Sequence, residues 1–325
     1  MAVLRELGNT LGRWTGRPVA RVEGDARDPD ARRVREAAEA ADWATVRDVL
    51  EARSESEDRT GLLWAVGDVA GVERWIADVM AADPEATLPR LVAAVRHISW
   101  AWEARTAARA KDVSREQFRI FFERLTTAEA WLYEVAEREP GWLSPWYGLQ
   151  ITGRGLQVGQ DVARRRFEAS VRRDPHHLGA HQQRLQQVCE KWSGSHEEMH
   201  AFARAAAFGA PGGSLLGQLV AVAHLEHWLA LDSGPDARYI QRPEVIASLN
   251  EAADHSFRHP DFVQGSGWLP VLNTFAMAFS LAGDTASARE CFRATEGRVT
   301  EFPWYYLNGS DPAKAYKEHR AYAGR

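Results

Sequence analysis

The stretch Trp268-Leu-Pro-Val-Leu272-Asn-Thr-Phe275-Ala276-Met-Ala-Phe279-Ser-Leu-Ala-Gly283-Asp284-Thr-Ala-Ser-Ala288-Arg-Glu-Cys-Phe292 decides the reading of this chain. Leu272, Phe275, Ala276 and Phe279 recur three and four residues apart, so they share one face of a helix. Gly283-Asp284 supplies the turn between this helix and the next. Ala288 and Phe292 then begin a second apolar face one helical turn apart. The segment therefore predicts two antiparallel helices joined by a tight turn, with small residues where they touch and large ones between.

Working outward, the same grammar recurs. Val72, Trp75, Ile76, Val79 and Met80 form one helical stripe, and Phe118, Phe121, Phe122, Leu125, Leu132 and Val135 form another. No run alternates with the period of two that a strand requires. Breaks fall at Pro84, Pro140, Pro175, Pro211, Pro260 and Pro303, where the missing N–H and the ring clash stop a helix. Pro140 and Pro175 lie 35 residues apart, and Pro175 and Pro211 lie 36 apart, close to the length of a two-helix repeat. The 268–292 unit resembles a tetratricopeptide repeat. Ala163, Phe167 and Pro175 give a looser match, and Ala41-Asp42-Trp43 joins two short helical stretches in the same way. Residues 85–139 read as two long helices divided near Asp112-Val113-Ser114, with Ser114 and Gln117 forming a capping box. The expected fold is all-α, a tetratricopeptide-like α-solenoid of degenerate helix pairs. It is expected to run as one domain over residues 28–325 behind an N-terminal arm of residues 1–27.

Composition bounds the function. The chain has 325 residues, of which 45% are hydrophobic and 26% charged, with a formal net charge of −5. That balance argues against nucleic acid as partner, since phosphate binding needs a clustered basic excess. Two cysteines, Cys189 and Cys291, make no disulfide framework and fit a reducing, cytoplasmic setting. Leu4, Leu7 and Leu11 suggest a short amphipathic helix rather than a secretion signal. The most apolar stretch, Leu215 to Leu231, contains Gln218, His224, Glu226 and His227, so it reads as a buried helix and no membrane span is expected.

Three segments carry a family resemblance: Trp100-Ala-Trp102-Glu-Ala-Arg105; Trp192-Ser-Gly-Ser195-His196-Glu197-Glu198-Met199-His200-Ala-Phe202-Ala-Arg204; and Val299-Thr-Glu301-Phe-Pro303-Trp304-Tyr-Tyr306. Together they resemble a bacterial tetratricopeptide-like family, a domain of unknown function, over roughly residues 85–308. The resemblance implies an all-helical repeat fold and no particular activity. His200 departs from it, standing where the family has an apolar residue.

Nine of the 11 histidines lie from His176 to His259, and eight of these form pairs at helical spacing: His177/His181, His196/His200, His224/His227 and His255/His259. His196-Glu197-Glu198-Met199-His200 matches HExxH, in which two imidazoles one turn apart hold zinc and the glutamate activates its water. His224 or Glu226 could add a third ligand. Against this, Ser195 with Glu198 forms a capping box, which puts His196 in the first helical turn, where the helix dipole opposes a cation. Among the 13 tryptophans, Trp64, Trp75, Trp131 and Trp268 are assigned to the core. Trp100, Trp102, Trp192, Trp228 and Trp304 are candidates for a groove, with Arg105, Glu197, Arg204, Glu226 and Glu301 as its polar groups. Three functions follow, in this order. The first is a non-enzymatic scaffold that holds a protein or peptide segment on its concave surface through Trp192, His196, Glu197, His200, Arg204, His224, Glu226, Glu301 and Trp304, with no catalytic residue and no cofactor. The second is a small-molecule pocket enclosed by the superhelix. The third is a zinc-dependent enzyme built on His196, His200 and His224.

Overall fold

Helix signals in the sequence are realised one by one in the computed structural model, which describes residues 29–54, 56–105, 113–232 and 234–324. Among the described residues there are sixteen α-helices, three short 3-10 turns and no strand. The expected arm, residues 1–27, lies outside the described residues. None of the described helices is long and apolar enough to cross a membrane. The described residues fall into two compact units, 29–184 and 185–324.

The first unit contains α1 (Pro29–Glu39), α2 (Trp43–Glu51), α3 (Glu57–Gly67), α4 (Val72–Ala82), α5 (Thr87–Arg105), α6 (Arg115–Arg138), α7 (Ser144–Leu156) and α8 (Gln160–Val171). The start of α9 (Leu178–Gln187) also belongs to it. Caps explain several boundaries. Asp42 accepts from Thr45 N–H to start α2, and Ser114 and Gln117 form the reciprocal box that starts α6. Each odd-numbered helix from α1 to α7 packs on at least one even-numbered neighbour, and α1 meets α3, α3 meets α5 and α5 meets α7. Close approach needs glycine. A Cβ on Gly155 of α7 would lie 2.3 Å from Leu125 Cδ1 of α6, and one on Gly67 of α3 would lie 2.6 Å from Val95 Cγ1 of α5. Arg96, almost fully buried in α5, donates to Glu73 at 2.7 Å, to Glu103 at 3.0 Å and to the Gly67 carbonyl at 3.0 Å. It thereby satisfies a carbonyl that the end of α3 leaves open.

The second unit contains α10 (His196–Gly209), α11 (Gln218–Ala230), α12 (Pro235–Ile240), α13 (Pro243–His255), α14 (Trp268–Ala282), α15 (Thr285–Thr295) and α16 (Pro312–Ala323). Its 3-10 turns are Glu190–Trp192, Leu215–Gly217 and Trp304–Tyr306. The 268–292 reading holds in detail: Gly283 takes φ +79°, and Asp284 accepts from Ser287 N–H to start α15. α11 and α14 are buried along most of their length and are the unit's axis. α11 packs against α10, α12, α13 and α14, while α14 also packs against α15 and α16.

The tryptophans sort differently from their helical-wheel positions. Of the four assigned to the core, Trp64 is buried, whereas Trp75, Trp131 and Trp268 are only partly covered. Trp304, assigned to a groove, is 0% exposed, and Trp102 and Trp228 are buried as well. A wheel position says which face a side chain takes, while depth depends on what packs over that face.

Candidate functional site

The richest polar chemistry of the second unit is carried by α11. Because this helix is enclosed, each polar side chain on it must find a protein partner. His224 and His227 are three residues apart and share one face, while Glu226 points to another. Two clusters result.

The first gathers on Glu226. Its Oε1 accepts from Gln186 Nε2 at 2.8 Å and from the Tyr306 hydroxyl at 2.8 Å, and its Oε2 accepts from Lys191 Nζ at 2.7 Å. Burial pushes the carboxyl up, but the Lys191 ammonium and the two neutral donors outweigh it and hold the group below its ordinary value. Tyr306 is pushed well above the usual phenol range by burial and by the adjacent carboxylate. Lys191 comes from the 3-10 turn Glu190–Trp192 and Tyr306 from the 3-10 turn Trp304–Tyr306, so two separate turns meet on one carboxylate. Protein donors occupy both oxygens, and the cluster ties two 3-10 turns to α11.

The second cluster gathers four histidines. His196 and His227 stack with ring centroids 4.0 Å apart and planes 4° from parallel. His227 lies in turn on the Tyr239 ring at 4.0 Å. His200 Nε2 is 3.2 Å from His227 Nδ1 and 3.2 Å from the Tyr239 hydroxyl. That hydroxyl is 2.8 Å from His224 Nδ1, and His224 Nε2 is 3.2 Å from Ser248 Oγ. Burial, reinforced by the neighbouring imidazoles, lowers His200 to about 4, His224 to about 3 and His227 to about 4. At neutral pH these three rings are uncharged.

The remaining candidates sit as follows. Ser195 caps α10 by accepting from Glu198 N–H at 3.0 Å, but the expected reciprocal box does not close, because the Ser195 N–H donates to Val188 O at 3.1 Å instead of to the Glu198 side chain. His196 is consequently the first residue of α10, and its Nε2 faces Glu190 at 3.2 Å. Glu197 is exposed, and Trp192 and Glu301 are partly covered. Arg204 pairs with Glu251 at 2.8 Å and lies over the Phe208 ring. Trp304 Nε1 donates to Asn273 Oδ1 at 2.7 Å inside the core. Arg105 belongs to the first unit.

HExxH does not form its expected geometry. The nitrogens of His196 and His200 face different partners, Glu190 for the first and His227 with Tyr239 for the second. Among the described residues, no group of three or more His, Cys, Asp or Glu side chains is placed to hold a metal ion. Both cysteines are buried and neither forms a disulfide, and burial pushes the Cys291 thiol up, which makes it unreactive.

Residues that sequence reading left out of the site are Gln186, Lys191, His227, Tyr239, Ser248 and Tyr306. The spacing of His224 and His227 carried a signal, since three residues place both on one helix face. Tyr239 and Ser248 come from helices whose docking no local pattern announces. No protein-family profile matches the chain, and no characterised protein matches it.

Proposed function

We propose that this chain is a helical-repeat binding scaffold of the tetratricopeptide-like kind. The observation that carries the reading is the packing order of α1 to α8, where each odd helix meets at least one even neighbour and successive odd helices meet one another. Helix pairs stacked in that order build extended surfaces suited to a peptide or a partner segment. The resemblance of residues 85–308 to a tetratricopeptide-like family supports the same fold. Two buried cysteines that form no disulfide support a reducing compartment such as the cytoplasm.

We place the partner on the accessible rim of the second unit, at Trp192, His196, Glu197 and Arg204. Trp192 offers a partly covered indole to an apolar anchor, and Arg204 can exchange its exposed Glu251 partner for a carboxylate. His224, Glu226 and Trp304 support this rim from below and do not contact the partner. Photo-crosslinking in cells compares the wild type with the double variant Trp192→Ala/Arg204→Glu. A specific adduct that is lost in the variant, with thermal unfolding unchanged, supports the reading. Identical adducts in both proteins, or none in either, overturn it.

A further inference from the structure

The histidine cluster joins side chains of four helices through one continuous set of hydrogen bonds. One arrangement of protons satisfies all four contacts and also gives the Tyr239 hydroxyl hydrogen an acceptor. His200 Nε2–H donates to His227 Nδ1 and is shared with the Tyr239 oxygen; the Tyr239 hydroxyl donates to His224 Nδ1; and His224 Nε2–H donates to Ser248 Oγ. Running the chain the other way would ask the single lone pair of His200 Nε2 to accept from both Tyr239 and His227.

Added protons do not fit this arrangement. A proton on His227 Nδ1 sets an N–H against the N–H of His200 at 3.2 Å. A proton on His224 Nδ1 leaves the Tyr239 hydroxyl hydrogen without an acceptor. His200 can take one on its other nitrogen without breaking the chain, but its ring is mostly buried against two further imidazoles, and desolvation opposes that charge. The charged groups around the cluster come from every side. Glu190 on the 3-10 turn faces His196, Arg204 on α10 is held by Glu251 of α13, and Arg242 between α12 and α13 stands 5.7 Å over the Tyr239 ring. The two arginines add positive potential at His224 and His227.

We propose that the chain His227–His200–Tyr239–His224–Ser248 is an acid-released latch, which in its neutral form ties α10, α12 and α13 to α11 and on acidification lets them come away. The proposal is independent of the scaffold reading, because it concerns how the second unit holds itself together. A proton on His227 or His224 removes a tie and places charge among neighbouring imidazoles; the rings freed by opening return to water and protonate near their ordinary value, so release steepens once it begins.

The test uses the full chain with labelled imidazoles, followed by NMR from pH 7.5 to 4, alongside amide hydrogen exchange. The latch predicts that His200, His224 and His227 stay neutral at pH 6 and then take up protons together. Over the same interval, protection in residues 196–209 and 235–255 falls by roughly tenfold or more while residues 285–295 keep theirs. Tyr239→Phe keeps the ring stack and removes the central hydroxyl, so release should move to higher pH by about half a unit or more. If that variant does not fold, the wild-type titration decides alone. Independent titration of the three rings near their ordinary value of about 6.5, simultaneous loss of protection in residues 285–295, or a Tyr239→Phe midpoint equal to that of the wild type each overturns the latch.

Discussion

The arginine clusters of residues 29–184 and the histidine cluster of residues 185–324 bury polar groups by opposite chemical routes. In residues 29–184 the buried cations are arginines: Arg96 is held by Glu73 and Glu103, and Arg166 by Glu129 and the Leu149 carbonyl. A guanidinium keeps its charge at any physiological pH, so these clusters change only when their carboxylates are protonated. Glu73 is nevertheless subject to two opposing effects. Burial raises its carboxyl, but Arg96 and backbone donors bring it below its ordinary value. In residues 185–324 the corresponding cluster is imidazole and phenol, neutral and satisfied only while it stays neutral. A permanent charge gives a cluster indifferent to mild acid, whereas a group that titrates near neutrality makes its cluster conditional.

The largest expected effect uses acid to separate the two. His200, His224 and His227 are lowered in the folded state, so the unfolded chain takes up protons first as pH falls. Their stabilising contribution is therefore complete above about pH 6.5, declines below it, and is gone once pH passes below the folded values near 4 and 3. Residues 29–184 also hold histidines lowered chiefly by burial, His97 on α5 and His181 on α9. Hydrogen exchange should show residues 196–255 losing protection at a higher pH than residues 87–156. Coincident loss would break the comparison.

Next in size, Arg96→Met removes the cation and leaves Glu73 and the Gly67 carbonyl without their donor. The expected cost is about 3–5 kcal/mol in urea unfolding of the first unit. The change should be nearly the same at pH 5 and pH 7. Glu226→Gln is smaller, at about 1–3 kcal/mol, because its amide oxygen still accepts while its NH₂ group must face a donor. Lys191 keeps access to water, so the loss should depend weakly on salt, which a melting series in sodium chloride would read. Ser195→Ala deletes one cap of α10, and about 1 kcal/mol is expected, measured as a shift in thermal midpoint. A cost well above that would show that the α10 cap is coupled to the His196 stack.

Local signals carried most of the helix map. Asp42, Ser114, Ser195 and Asp284 each begin the helix their side chains suggest, because a cap is a contact between residues three apart. The packing of 268–292 was legible for the same reason. Burial depth was not, as Trp304 shows: its indole lies in the core because Asn273 of α14 and the rings of Phe292 and Tyr316 close around it. The histidine cluster was half legible. The pairs at helical spacing announced shared faces, but the direct contact of His200 with His227, and the inclusion of Tyr239 and Ser248, depend on how α10, α12 and α13 dock on α11. HExxH misled because spacing along one helix says nothing about where each imidazole nitrogen points once a neighbouring helix offers it another partner.

α11 holds its imidazole cluster and its carboxylate tie on different flanks, with only Leu225 between His224 and Glu226. Inserting one residue after Leu225 would turn everything downstream by about 100°, withdrawing Glu226 from Lys191 and Tyr306 and His227 from His200 in one stroke. The helix can therefore slide or swivel in neither direction without losing partners on both flanks. Its rotational setting is doubly keyed, and length changes in this part of the chain should be tolerated only in the loops on either side of it.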